Sequence, residues 1–201
     1  MTNIIKPETF IFIGPSGCGK GTQAELLISY LKENDPQRKV FYLESGEKIR
    51  NFMNGESYSS ELSRELYEKG ILQPEFLAVW VWSDILIENI KGGEHLVVDG
   101  TPRKLREAKA FDTAIRFYKR EGTHVIFINV SRLWSKERLV ERGRADDKMK
   151  GDIEKRLGWY EKEVTPTIEY LKNDPNYKFH EINGEQSIEG VHNEILAKVF
   201  K

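Results

Sequence analysis

Cysteine is nearly absent from this chain: Cys18 stands alone among 201 residues. A single thiol excludes an intrachain disulfide framework and any multi-cysteine metal centre. Long hydrophobic runs are missing as well. No uninterrupted apolar stretch approaches the roughly 20 residues needed to cross a bilayer, and Met1 to Lys6 lacks the organisation of a signal peptide. The expectation is a cytoplasmic protein with no membrane partner. Neither sign of charge dominates. A formal net charge of −1 at pH 7 supplies no global positive field for nucleic acid, so any anion must be met by cations concentrated locally. There is no internal repeat and no low-complexity segment. With 39% hydrophobic and 31% charged residues, the composition is that of a globular protein, and the length predicts one domain, 1–201, with insertions. A monomer is the default expectation.

What is present begins near the N-terminus. Gly14 to Thr22 reads G-P-S-G-C-G-K-G-T, between an apolar β-like run, Phe10 to Ile13, and a stretch with helical spacing, Gln23 to Leu31. Gly14, Gly17 and Gly19 let the backbone curl so that successive N–H groups form a concave anion site. A helix starting near Lys20 adds its positive N-terminal dipole, and the Lys20 ammonium adds a mobile charge for outer phosphates. The usual pattern wants Ser or Thr directly after the lysine. Here Gly21 intervenes and Thr22 follows. Cys18 is either a reactive thiol, activated by the helix start, or a spacer whose backbone alone matters.

Further along, Val40 to Leu43 reads as a second strand, followed by helices over Ser45 to Asn54, Ser59 to Lys69 and Pro74 to Ile90. His95 to Asp99 is a buried strand ending in an acid. Lys104 to Arg120 reads as an amphipathic helix, Thr123 to Val130 as a strand, and Ser131 to Arg142 as a helix. After the polar stretch Gly143 to Lys150 comes a long helix, Gly151 to Lys172, which Pro166 should kink or restart. Lys178 to Ile182 and Ser187 to Phe200 close the chain as strand and helix. Apolar strands alternating with helices predict a parallel sheet covered on both faces. In such sheets ligands sit beyond the carboxyl ends of the strands, so Gly14–Thr22, Glu44–Gly46 and Asp99–Arg103 should converge.

Asp99, at the end of Leu96-Val97-Val98, suits an acid that holds Mg2+ through water, with Thr22 and substrate phosphates completing the shell. Arg50, Arg103, Arg138, Arg142, Arg144 and Arg156 fall near strand ends, helix starts or the polar stretch. Planar guanidinium forks grip phosphate oxygens in pairs, and Arg138 and Arg142, one helical turn apart, face the same way. The four histidines lack partners at ligand spacing and read as structural or solvated. Trp80 and Trp82 read as packing residues or as the rim of a ligand pocket, and Trp134 and Trp159 as core.

With these residues in view, the chain resembles the adenylate kinase family of nucleoside monophosphate kinases over nearly its whole length. Gly14 to Gln23 resembles that family's phosphate loop, which explains the displaced Thr22. Ser45-Gly46-Glu47 with Arg50 and Asp99-Gly100-Thr101-Pro102-Arg103 resemble two of its acceptor segments. Arg138, Arg142, Arg144-Ala145-Asp146-Asp147 and Arg156 resemble the lid arginines of its short-lid members. The resemblance implies a P-loop three-layer α/β/α fold around a five-stranded parallel sheet, with an inserted NMP-binding segment, 45–74, and a short lid, 142–150. It implies phosphoryl transfer from ATP with Mg2+. Ser16, Gly17, Cys18, Gly19, Lys20, Gly21, Thr22 and Gln186, with Gly14, would hold the donor. Ser45, Gly46, Arg50, Gln73, Gly100, Arg103 and Glu107 would hold the acceptor, and Asp146 and Asp147 would anchor the lid.

AMP ranks first as the acceptor on that resemblance. Glu107 pulls the other way. It stands where the family places a glutamine, and a carboxylate that only accepts opposes adenine N1 while suiting the two donors of guanine. Thr101 also replaces a phenylalanine, and Ser16 a proline or glycine. A kinase acting on another small acceptor and a non-catalytic nucleotide-binding module are the rival readings.

Overall fold

The structure is a computed structural model and describes residues 4, 6–120, 122–142 and 152–200. The expected lid, 142–150, lies outside these residues except for the backbone of Arg142. Five strands, β1 (Thr9–Ile13), β2 (Val40–Glu44), β3 (His95–Asp99), β4 (Thr123–Asn129) and β5 (Tyr177–Asn183), form an all-parallel sheet in the order β2-β3-β1-β4-β5. Among the described residues nine α-helices accompany the strands: α1 (Lys20–Asn34), α2 (Ser45–Met53), α3 (Tyr58–Glu68), α4 (Glu75–Asn89), α5 (Leu105–Phe117), α6 (Arg132–Arg142), α7 (Asp152–Trp159), α8 (Thr165–Asn173) and α9 (Ile188–Val199). None is long and apolar enough to cross a membrane.

Strand alternation divides the core. Phe10, Phe12, Val97, Ile126 and Ile128 face one side and pack with Leu27 and Leu31 of α1 and Ile195 of α9. Ile11, Ile13, Leu96, Val98 and Val125 face the other and pack with Leu86 of α4, Phe111 of α5 and Leu171 of α8. Both faces are therefore dry. That forces the charged loops to the strand ends, where the site forms.

Two expected helices end differently. The helix expected over Lys104 to Arg120 stops at Phe117, because Lys119 takes φ 54° and closes a Schellman turn: its N–H donates to Arg116, and that of Arg120 to Ile115 at 2.9 Å. The long helix expected before β5 is interrupted by a π-helical turn, Tyr160–Val164, in which the Thr165 N–H reaches five residues back to the Tyr160 carbonyl. Pro166 has no N–H and its ring crowds the preceding turn, so the helix widens and restarts as α8 with the proline in its first turn.

The Schellman turn aims Arg120 inward, where its guanidinium meets the Glu94 carboxylate at 2.6 Å with both side chains buried. Burial alone would raise the Glu94 pKa. Its own N–H, those of Gly92 and Lys91, and the Arg120 charge more than offset this and hold it below the usual value. At the opposite end of the sheet from the site, His180 stacks on His124 with centroids 5.2 Å apart. Burial first, then His124, Lys178 and Lys198, push the His180 pKa down to about 4. His95 is also lowered, by burial, although Asp35 pairs with it at 3.1 Å.

Glu94→Ala should strand a buried guanidinium and cost about 3–5 kcal/mol in urea unfolding. Histidines kept neutral in the fold but protonated in the unfolded chain make the fold weaker as pH falls from about 6.5 towards 4. The melting temperature should decline across that window, and His180→Gln should flatten the decline.

Candidate active site

The chain leaves β1 at Ile13, in the middle of the sheet, and turns through the glycine-rich loop into α1. Gly17 has φ 87°, and a Cβ there would lie 2.9 Å from the Ser135 carbonyl oxygen. Only glycine fits both restrictions. Gly19, φ 93°, is the N-cap of α1 and supplies no side-chain cap, so the first helical N–H groups face outward for an anion. Lys20 Nζ donates to the carbonyls of Gly14 at 2.9 Å and Pro15 at 2.8 Å.

This loop forms the floor of a cleft of about 760 Å³. On the adjoining strands Glu44 and Asp99 are register partners, so two carboxylates end side by side. Burial is the largest effect on Asp99 and raises its pKa, with Glu44 adding to the rise and Lys20 and Arg103 opposing it. The Tyr42 hydroxyl donates to Asp99 Oδ2 at 3.4 Å. Arg50 of α2 pairs with Glu44 at 3.0 Å. Arg103 is held by its Nε–H to the Gly100 carbonyl at 2.8 Å and lies 5.8 Å over the Trp159 ring. Burial works against the Arg103 charge; Glu107 and Asp99 support it, while Arg156 and Arg50 oppose it. The Arg103 guanidinium thus feels two others lining the same cleft.

At the far end, Arg138 lies 4.9 Å over the Trp134 ring. The facing loop after β5 is tightly held: Gln186 donates to the Asn183 carbonyl at 2.8 Å and to Glu194 at 2.6 Å, and Glu185 accepts from the Ser131 N–H at 2.6 Å. Gln23 Nε2 ties α1 to the Ile188 carbonyl at 2.9 Å.

The three converging segments meet as the strand-end rule requires. Ser16 to Thr22, Gly46, Arg50, Gln73, Asp99, Gly100, Arg103, Arg138, Arg156 and Gln186 all line this cleft. Three candidates do not. Gly14 lies behind the loop with its carbonyl taken by Lys20. Ser45 is buried behind Gly100. Glu107 caps α5, accepting from the Arg103 N–H at 2.8 Å, the Lys104 N–H at 3.3 Å and the Thr101 hydroxyl, and it is 3% exposed. The expectation that Glu107 faces a base is thereby corrected. A carboxylate three residues into a helix reaches back to the exposed N–H groups. The side chain of Arg142, together with Arg144, Asp146 and Asp147, lies outside the described residues.

Trp134 and Trp159 line the cleft rather than staying wholly in the core. The spacing used for Arg138 and Arg142 also puts Trp134 one turn before Arg138, a signal that was present. Tyr42 and Glu44 share a face of β2 by alternation, which links the tyrosine to the strand-end acid.

Thr22 and Asp99 fit the donor set that Mg2+ takes, a carboxylate and a hydroxyl with room for retained water. Burial raises the pKa of the half-buried Asp99 carboxylate, and a divalent cation beside such a group favours its ionised form. The Cys18 thiol is 5% exposed, and burial pushes its pKa up, which selects the spacer reading. Iodoacetamide at pH 7.5 should label the folded protein at least about tenfold more slowly than the urea-unfolded chain.

Comparison with known proteins agrees with this geometry. The adenylate kinase family model matches residues 12–176. An adenylate kinase of Flavobacterium psychrophilum is 30% identical over 185 residues, covering 90% of this chain and 92% of its own length. Adenylate kinase 1 of Nostoc sp. is 28% identical over 190 residues, with 93% and 96% covered. One from Prochlorococcus marinus is 29% identical over 189 residues, with 94% and 97% covered. An anion cradle, a facing set of guanidiniums and a family match over most of the length lead to one conclusion: the chain belongs to the adenylate kinase family and is a phosphotransferase.

Proposed function

We propose that this enzyme transfers the γ-phosphoryl group of ATP to AMP, giving two ADP, with Mg2+ as the accompanying ion. The observation that carries the reading is the opposition, within one cleft, of the glycine-rich loop and Lys20 to Arg50, Arg103 and Arg156. Two polyanionic tails meeting end to end need cations on both sides. A site for a single nucleotide would not need the second group.

The donor's phosphates lie on the loop amides and the α1 N-terminus, with its base between Trp134, Arg138 and the rigid loop after β5. The acceptor's phosphate lies against Arg50 and Arg103. Arg50 exchanges its contact with Glu44 for phosphate oxygens as the acceptor enters. Catalysis is positioning and charge neutralisation, because the acceptor phosphate is already ionised and no covalent intermediate is needed. Mg2+, held by Thr22 and through water by Asp99, would supply charge neutralisation between donor phosphates. Arg138 and Arg156 flank the donor tail; Arg142 and Arg144, which the family resemblance would add to them, lie outside the described residues, and water excluded from the closed site would no longer compete with the acceptor.

A coupled assay for ADP with ATP, Mg2+ and AMP tests this reading. Acceptor-dependent ADP formation is expected, and its absence would leave a nucleotide-binding module. Arg103→Ala should lower kcat/KM for AMP by about a hundredfold or more while leaving the melting temperature within a few degrees, because its guanidinium serves phosphate charge. Near-normal turnover would remove Arg103 from the acceptor grip.

A further inference from the structure

Two arginines of the cleft are held in different ways. Arg50 leans on the Glu44 carboxylate at 3.0 Å, whereas among the described residues no carboxylate comes within ion-pair distance of the Arg103 guanidinium. A carbonyl and an aromatic ring hold it instead. The Gly100 carbonyl accepts Nε–H at 2.8 Å, on the stem side of the fork, and the guanidinium lies 5.8 Å over the Trp159 ring. The backbone of Arg103 is fixed at both ends: its N–H donates to Glu107 at 2.8 Å, and its carbonyl accepts from the Thr167 hydroxyl at 3.0 Å.

The choice of a ring has a chemical consequence. An aromatic face attracts a cation without accepting the hydrogen bonds that a guanidinium directs in its own plane, so those donors stay available to a second anion. A carboxylate there would occupy the donors that grip phosphate in pairs.

The helix geometry brings both supports to Arg103. Trp159 ends α7 and Thr167 lies near the start of α8, eight positions later in the chain. At about 100° per residue, a continuous α-helix would leave the two about 80° apart around its axis. The π turn between them, Tyr160–Val164, takes up one extra residue, and the separation falls to about 20°. One face of the helix therefore meets Arg103 twice, under the guanidinium and at the carbonyl.

We infer that Trp159 is a positioning residue for the acceptor's phosphate: its ring face holds the Arg103 guanidinium where a carboxylate would otherwise stand, leaving the N–H fork for phosphate oxygens. The assignment rests on the kinase reading of the site.

Steady-state kinetics with AMP and ATP varied in turn test it. Trp159→Ala should lower kcat/KM for AMP about tenfold and leave KM for ATP within about twofold. Trp159→Phe keeps a ring face and should recover to within about threefold of wild type, whereas Trp159→Leu keeps only apolar bulk and should not. In an Arg103→Ala background, adding Trp159→Ala should cost less than about twofold more, because the residue acts through Arg103. Equal recovery by leucine, a loss shared between AMP and ATP, or an undiminished loss in the Arg103→Ala background overturns the inference alone. Wild-type protein that forms no ADP overturns the kinase reading and this inference with it. Should Trp159→Ala fail to fold, the comparison of phenylalanine with leucine decides.

Discussion

Bringing several cations together in one partly buried place is the constraint around which this molecule is organised. Lys20, Arg50, Arg103 and Arg156 line one cleft, and Arg103 is disfavoured both by burial and by its like-charged neighbours. Such a cluster is tolerable only where its charges have partners. Glu44 serves Arg50, the Gly100 carbonyl and the Trp159 ring serve Arg103, and two loop carbonyls serve Lys20. The partners are weak or exposed enough to be exchanged. A more deeply buried set of ion pairs would hold the cations too firmly to release them to phosphate.

The sheet supplies the rigidity that such a cluster requires. Parallel strands with both faces packed leave only their ends for polar groups, and the order β2-β3-β1-β4-β5 puts the phosphate loop at the centre with Asp99 on one neighbour. The helices carry the other charges. Arg50 stands on α2, which an ion pair between Lys48 and Asp84 and a Phe52–Trp80 edge contact at 5.4 Å join to α4. Those contacts fasten the α2 side of the cleft, and on the other side Glu185, Gln186 and Glu194 together hold the loop after β5.

Most of this was legible in the sequence because periodicity and loop chemistry are local. The strand-glycine-helix order around Gly14 to Thr22, the acid closing β3 and the alternation of strands with helices each follow from neighbours in the chain. What escaped were alternatives between two local roles. Glu107 sits at the third position of α5, where a carboxylate reaches back to the Arg103 and Lys104 amides, and the Thr101 hydroxyl fills its other oxygen. Trp159 reads as core from its sequence, but at the end of α7 its indole lines the cleft under Arg103, a contact between residues 56 positions apart. Pro166 signalled a disturbance without specifying that it would be absorbed as an extra residue per turn.

Folded back on its own loop, the Lys20 ammonium sits in a cage of carbonyl oxygens from Gly14 and Pro15. It fills the concavity from below and keeps the carbonyl dipoles from repelling one another. An incoming anion has to draw the ammonium out of that cage, so occupancy depends on a difference between two attractions rather than on one. The denser the charge a ligand carries, the more such an exchange favours it.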